Sequence, residues 1–519
     1  MNEPDVTLSS SPWTWQRRDA VFLLGLLALV VVLVLLMGVQ LVDDAYISLR
    51  YARNLGHGAG FVYNSGERVL GSTAPLYVLL MALPARWLPD VSLVDLARWI
   101  GLLADACTIV MLYLGLVRST RMRVLAAAGT ILYALSPLRL LIGLSGMETS
   151  LTMATIVAVW LANRGRRYAL ALCLAGLGTL LRPEVGLLVV LLLVDAAWQR
   201  PRRLPHLMGC VGLAVGPWLL FAVAYFGALV PHSVTAKMAM YVQHSVERTL
   251  SDLVFLLNGF LHWSQASLSR SLALALLLSL TVGLFALGLY RAIRRRDPAW
   301  PVLAFAPVFL LFYLIGQPYI FYWYVGPLLP AVTIGLVLGS ASLIAHGPRP
   351  DLIHRLALLA IVLAVADGYS LEDGRVRPRQ LVWGIATTAE REALYIQVSR
   401  RLAPMVDSQT VVAAPEIGAL GYYLPARILD TAGLVSPEAL RYLDPKLSAA
   451  SRLGHAISPK LIEAYLPDYI VTLDVFAEAL SASPVIARNY DLIHTYASGT
   501  FGSQQLLVYR ERNAQSTSP

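Results

Sequence analysis

Charge is scarce in this chain of 519 residues: Asp, Glu, Lys and Arg together make up 14%, against roughly a quarter in soluble domains. The composition is 57% hydrophobic and the mean hydropathy is +0.63. An ordinary soluble enzyme is excluded, and a polytopic membrane protein is implied. Lysine is almost missing, with only Lys237, Lys446 and Lys460. The formal net charge of +9 therefore rests on arginine. In a membrane protein that excess is first a topology signal. The only cysteines, Cys107, Cys173 and Cys210, are far apart in apolar runs. They exclude a disulfide framework or a cysteine metal motif and read as small buried hydrophobes. There is no G-x-x-x-x-G-K-[ST], H-E-x-x-H or G-x-S-x-G, and no cytoplasmic stretch large enough for a nucleotide enzyme. An ATP-driven pump and the familiar hydrolases lose support. No internal repeat of fixed period is visible, and nothing calls for a nucleic-acid partner.

What is present is a series of apolar runs. They cover 20–42, 97–117, 123–141, 148–163, 168–182, 184–198, 206–229, 271–293, 300–316, 322–345 and 353–368. Arginine clusters separate alternate runs, such as Arg17/Arg18, Arg118/Arg121/Arg123, Arg164/Arg166/Arg167 and Arg291/Arg294/Arg295/Arg296. Placing every cluster inside threads about eleven spans. Residues 1–19 then face the cytoplasm and the first run acts as an uncleaved signal anchor. Residues 73–89 are too short and interrupted for a span, so a helix on the outer face is expected there. This threading leaves outer loops at 43–98 and 231–270 and an external tail from 369 onward. In the tail, TVVAAP, ARILDT, DYIVTL and QQLLVYR read as strands, and SPEALRYL and PKLIEAYL as helices. A small extracytoplasmic α/β domain at 369–519 is expected, after a transmembrane domain at 20–368.

Chemistry is expected on the outer loops. Asp43 and Asp44 follow the first apolar run. Acids often end a span where headgroups are wet, but a carboxylate there can also deprotonate a sugar hydroxyl or steady an oxocarbenium-like transition state. Asp43 or Asp44 could also help hold Mg²⁺ or Ca²⁺ as a divalent cofactor. Tyr46, Leu49 and Ala52 recur at helical spacing after the acids, which predicts an amphipathic helix in the interface plane. Arg50, Arg53 and Arg68 can meet a phosphate or lipid headgroups. Lys237 stands in the run LVPHSVTAKMAMYVQH, where a compact ammonium suits a leaving phosphate. His232 in the same run is a capping residue or a substrate contact. Glu148 in SGMETSL and Arg182 and Glu184 in LLRPEVG sit at outer turns and are functional if buried. Tyr322 in GQPYIFYWY belongs to an aromatic belt or stacks on a sugar. Glu416 and Asp430 in the tail read as turn or capping acids.

The string DDAYISLRYARNLGHGAGFVYNSGERVLGSTAPL, followed by SGMETSL, LLRPE, PHSVTAK, PEIGALGYY and ILDTAGLVSPEAL, resembles the bacterial arabinofuranosyltransferase-like members of the GT-C family. Those are integral-membrane glycosyltransferases that use polyprenyl-phosphate sugars. The resemblance implies a GT-C-like fold and a catalytic base at Asp43 or Asp44. It also implies basic residues of the first two loops on the donor phosphate, and inversion at the anomeric carbon. Implied partners are a polyprenyl-phosphate-linked sugar, a glycan, lipid or protein acceptor, and membrane lipids. The implied location is a bacterial cytoplasmic membrane with the site facing outward. The rival classes are a transporter or lipid flippase, for which repeats and broken midplane helices are the usual signs, and a glycan-binding envelope component.

Overall fold

The computed structural model describes residues 15–38, 41–88, 90–240, 245–260, 268–345, 369–372, 375–378, 382–443 and 454–512. The expected run at 353–368 lies outside them. The helical body comprises α1 (Arg17–Met37), α2 (Asp43–Gly56), α3 (Pro75–Trp87), α4 (Leu93–Thr120), α5 (Arg123–Ala134), α6 (Pro137–Leu144), α7 (Thr149–Arg164), α8 (Tyr168–Leu181), α9 (Gly186–Gln199), α10 (Leu204–Phe226), α11 (His232–Met240), α12 (Val246–Phe260), α13 (Leu268–Arg294), α14 (Trp300–Gly316) and α15 (Leu328–Ile344).

By length and composition, α1, α4 and the stretch 201–226 that contains α10 can each cross a membrane. The pair α5 and α6, bent by 54°, makes a fourth crossing if it is one span. Ser136 causes that bend locally: its side chain accepts from the Arg139 amide, and Pro137 starts the new helix. Among the described residues, fewer crossings qualify this way than the arginine pattern predicts. For α8, α14 and α15 the physical reason is length, since they have only 14 to 17 residues where about 20 are needed to span the hydrocarbon alone.

Arg118, Arg123, Arg164 and Arg200 gather at one end of the body. Arg123 pairs with Asp19 at 3.1 Å, Arg164 approaches Asp297 and the Arg118 carbonyl, and Arg200 pairs with Asp195 at 3.2 Å. Arg164 closes α7, whose other end carries Glu148. The polar residues singled out in the loops lie toward that other end.

The first loop differs from expectation. Helix α1 stops at Met37, with Gly38 in the left-handed conformation at φ 59°. Asp43 and Asp44 therefore do not end the first helix; they open the next one. Nor does α2 lie on a surface. Ala45 through Ala52 are all buried, because α3 packs on one side and the short helix Gly418–Tyr423 on the other. Within 73–89, Pro75–Trp87 forms the helix α3, with Pro75 in its first turn.

The tail carries a hairpin of β1 (Tyr369–Glu372) and β2 (Arg375–Pro378), then a five-stranded sheet. The sheet holds β3 (Val411–Ala414), β4 (Arg427–Asp430), β5 (Tyr469–Leu473), β6 (Tyr490–Ala497) and β7 (Gln505–Glu511) in the order β4-β3-β5-β7-β6. Strands β4, β3 and β5 are parallel, and β7 runs antiparallel to both neighbours. The four strand-like runs of the sequence are β3, β4, β5 and β7. Strand β6, Tyr490–Ala497, was not among them, since its alternation is mostly exposed.

Side-chain alternation splits the sheet between two cores. Ala413, Leu429, Ile470 and Leu507 enter a cluster of the tail's own. Val412, Ala414, Ile428, Val471, Leu506 and Val508 enter the cluster that also contains the membrane helices. The sheet is therefore seated on the helical body through a shared apolar core, not merely linked to it by chain.

Candidate active site

Helix α2 and the short helix Gly418–Tyr423 form the seat of the site. Both oxygens of Asp43 accept from the first amides of the short helix, Gly418 and Ala419, each at 2.8 Å. At its other end Arg50 donates to the Gly421 carbonyl and Arg53 to the Tyr422 carbonyl, the latter at 2.6 Å. Helix ends leave amides and carbonyls unpaired, and the macrodipole favours an acid at the first end and bases at the last. One face of α2 supplies all three caps. The approach demands glycine: a Cβ on Gly418 would stand 1.9 Å from the Asp43 carbonyl oxygen, and one on Gly421 1.8 Å from the Tyr63 hydroxyl.

This arrangement reassigns two residues expected on a donor phosphate. Arg50, 5% exposed, also donates from Nε to the Tyr63 carbonyl at 2.8 Å and from Nη2 to the Ala426 carbonyl at 2.8 Å and Asn64 at 3.2 Å. Arg53 lies over the Tyr422 ring, 4.9 Å from its centroid. Both guanidiniums are held by carbonyls of the tail. Arg68 lies over the Tyr225 ring at 4.6 Å. Asn64 pairs with both the amide and the carbonyl of Ile428, at 3.0 and 2.9 Å. The loop that carries Asn64 thus covers the β4 edge of the sheet.

Asp44 faces elsewhere. Its Oδ2 accepts from Lys237 Nζ at 2.8 Å, with the two side chains 26% and 22% exposed. Lys237 lies over the Phe321 ring at 5.1 Å. Tyr324 senses the charges of Lys237, Asp44, Arg182 and Glu184, so these groups share one neighbourhood. Arg182 donates to Glu148 at 3.1 Å and to Glu184 at 3.0 Å, and the Tyr313 hydroxyl donates to Glu184 at 2.5 Å. The guanidinium also lies 5.2 Å from the Tyr324 ring centroid. Glu148, Arg182 and Glu184 are thus brought together as a buried network next to the Asp44–Lys237 pair. Ends of α2, α7, α8 and α14, the helix α11 and the turn at Tyr322–Val325 converge there.

His232 and Tyr322 are placed apart from that pair's contacts. The His232 amide donates to the Leu70 carbonyl at 2.7 Å, and its ring lies near Thr235 and Gly433. Burial lowers its pKa, with the Gly433 carbonyl opposing. Tyr322 is buried, and the nearest charges acting on it are Glu392 and Arg391.

Those two residues belong to a second cluster that the sequence reading missed. Arg391 donates to Glu416 at 2.6 Å and to Glu392, whose Oε1 also accepts from the Asp43 amide at 3.0 Å. Burial pushes Glu416 up to about 8, with Arg391 opposing and Asp43 and Glu392 adding to the rise. Burial likewise pushes Glu392 up to about 7 against Arg391. Asp43 is raised by burial, against Arg391 and its two amides. Glu416 is therefore an ion-pair partner and not the turn acid expected. Asp430 does hold a turn, accepting from the Ala432 and Val435 amides at 2.9 Å each. The signal for Glu392 was present: it continues the buried stripe Tyr395, Ser399 and Leu402 at helical spacing.

A divalent cation does not fit the two aspartates as placed. Asp43 turns to two amides and Asp44 to an ammonium, so the carboxylates do not converge. Among the described residues, no three His, Cys, Asp or Glu side chains are arranged to hold a metal.

The architecture matches a solved structure from end to end. The crystal structure of ArnT from Cupriavidus metallidurans bound to undecaprenyl phosphate aligns over 97% of this chain and 100% of that one, with a TM-score of 0.59 and 14% identity. The chain has the GT-C fold. The apo form of the same ArnT aligns with a TM-score of 0.55, covering 95% and 97% of the two chains. Two sequence relatives carry the name terminal β-(1→2)-arabinofuranosyltransferase. The one from Corynebacterium glutamicum is 35% identical over 230 residues, 38% of this chain and 33% of its own length. The one from Mycobacterium tuberculosis is 29% identical over 284 residues, 50% of this chain and 43% of its own length. The chain thus spans less than half the length of these curated relatives. A family model described as a domain of unknown function, DUF8728, matches residues 383–513, the segment that holds Arg391, Glu392, Glu416 and the five-stranded sheet.

Proposed function

We propose that this protein transfers a sugar, an arabinofuranose by analogy with its named relatives, from a polyprenyl-phosphate donor to a hydroxyl of a cell-envelope acceptor. The site would face outward from a bacterial cytoplasmic membrane, opposite the arginine-rich end. The observation that carries the reading is the Asp44–Lys237 pair, a quarter exposed and set among helix ends.

Asp44 is the proposed base. Asp43 is engaged on both oxygens by amides of the short helix, which leaves Asp44 as the acid of the pair turned toward an accessible cation. When the donor binds, its phosphate draws Lys237 away from Asp44, since an ammonium pairs with either anion. The freed carboxylate takes the proton of the acceptor hydroxyl as that oxygen attacks the anomeric carbon. The new carbon–oxygen bond forms as the bond to the phosphate oxygen breaks. The electron pair leaves with the lipid phosphate, beside Lys237. Attack opposite the leaving group inverts the anomeric centre. The Arg182 network stays paired and fixes the turn that carries Tyr324.

The test is Asp44→Asn in membranes supplied with radiolabelled polyprenyl-phosphate arabinofuranose and an oligo-arabinofuranoside acceptor. Loss of a proton acceptor is expected to slow transfer by about 10²–10⁴-fold. Full activity in a folded variant refutes the base assignment. If the wild type transfers nothing from polyprenyl-phosphate sugars, the glycosyltransferase reading itself falls, and a transporter or binding role takes its place.

A further inference from the structure

Between α2 and the tail lies a polar contact that the transfer step does not use. Glu392 is 1% exposed, and its Oε1 accepts from the Asp43 amide, the first of α2. That amide has no partner within its own helix. A carboxylate from another part of the chain therefore caps α2, while Asp43 of α2 caps the short helix Gly418–Tyr423. The two caps run in opposite directions between α2 and the tail, so the first turn of α2 is held from the tail as well as by Val42, whose amide donates to the Ser145 carbonyl at 3.1 Å. Asp44 is the second residue of that turn, and its side chain points to Lys237.

Burying an acid here is costly, because desolvation disfavours its charge. Arg391 offsets part of that cost, yet Glu392 Oε2 and Arg391 Nε stay buried without partners. Plain stability is served as well or better by an apolar residue of similar size. A glutamate that reaches one specific amide does something an apolar residue cannot: it fixes where that amide, and the side chain one residue later, must sit.

We infer that Glu392, held by Arg391, is a positioning residue for transfer, acting through the first turn of α2 to aim Asp44. This rests on the reading of Asp44 as base. Reacting groups misplaced by about 1 Å can cost about 10²-fold in rate, so the expected effect falls on turnover and not on donor binding, which Lys237 serves.

The experiment uses the full chain in lipid nanodiscs, with polyprenyl-phosphate arabinofuranose and an oligo-arabinofuranoside. The variants are Glu392→Ala, Glu392→Asp and Glu392→Gln. Glu392→Ala and Glu392→Asp, which cannot reach the Asp43 amide, are expected to lower kcat by about 10- to 100-fold with donor KM within about twofold. Glu392→Gln keeps an acceptor oxygen in place and is expected to restore kcat to within about threefold of wild type, in keeping with a contact that works through geometry. Should Glu392→Ala not fold, Glu392→Asp against Glu392→Gln carries the comparison, since Glu416 still pairs with Arg391 in both. Wild-type kcat in Glu392→Asp, or a Glu392→Gln no better than Glu392→Asp, overturns the inference. Asp44→Asn run alongside separates the two readings. Activity there removes the proposed base, whereas an inactive Asp44→Asn with wild-type Glu392 variants removes the positioning role alone.

Discussion

Two regions of this molecule have the same composition and opposite tasks. In each, one buried arginine stands between two glutamates: Arg182 with Glu148 and Glu184, and Arg391 with Glu392 and Glu416. The first joins ends of membrane helices beside Asp44 and Lys237. The second joins the tail to α2 beside Asp43. The first is further tied by Tyr313. The second crowds a third acid, Asp43, against the same single arginine, and its two glutamates rise to about 7 and about 8. The lesson concerns the neighbouring aspartates. Adjacent in sequence, they serve different clusters, Asp43 the seam and Asp44 the pair with Lys237 beside the Arg182 network.

The largest expected effect that breaks the seam is Arg391→Met. It leaves two buried carboxylates with no cation, and losing one partner of a buried pair costs about 3–5 kcal/mol. A fall in the melting temperature of the purified protein in detergent checks it.

The same crowding predicts a pH response. Glu416 and Glu392 have folded pKa values raised from 4.5 to about 8 and about 7. The folded state binds their protons more tightly than the unfolded chain does. Their contribution is therefore fully present below about pH 4.5 and is lost as pH rises through 7 to 8. Melting temperature should fall between pH 5 and pH 9, and Glu416→Gln should flatten the fall. A profile unchanged by Glu416→Gln contradicts the crowding account.

Gly418→Ala sharpens the comparison from the backbone side. Its Cβ would sit 1.9 Å from the Asp43 carbonyl. Overpacking of this kind costs about 1–3 kcal/mol. Sugar transfer at a temperature where the variant is still folded should fall with it, because the short helix can no longer close on Asp43.

The smallest effect on transfer is expected at Asn64→Ala, on the sheet edge, whose tie to the seam is the hydrogen bond it accepts from Arg50. Hydrogen bonds to the Ile428 amide and carbonyl, to Arg50 and to Glu67 are lost, the two neutral ones worth about 0.5–1.5 kcal/mol each. Melting should drop by a few degrees while kcat stays near wild type. A large kcat loss there would show that the seam is not confined to Asp43 and Glu392.

Much of this was legible in the residues. Apolar runs gave the helices, since a stretch without charge has one stable place to go. The gathering of Arg123, Arg164 and Arg200 at one end follows the charge pattern that located them. TVVAAP, ARILDT, DYIVTL and QQLLVYR formed strands because short apolar runs suit a sheet buried on both faces, as β5 is at every residue. The helix at α2 was also readable, but not its burial. Spacing on one helix says which face is apolar and nothing of a second partner 370 residues later in the chain.

For the same reason Arg50 and Arg53 read as phosphate ligands. A guanidinium attracts carbonyls at a helix end as well as phosphates, and the carbonyls of Gly421 and Tyr422 are invisible as acceptors until the chain folds. Glu148 was read in one outer turn and Arg182 and Glu184 in another; only packing made them one network.

The sequence by itself determined a helical membrane body, a strand-bearing tail, and the acids and cations on its loops, because composition and periodicity are local properties. Tertiary structure alone decided which aspartate closes a seam and which faces a lysine. That choice depends on what stands opposite each side chain, and the groups that stand there come from helix ends and a sheet far away in the chain.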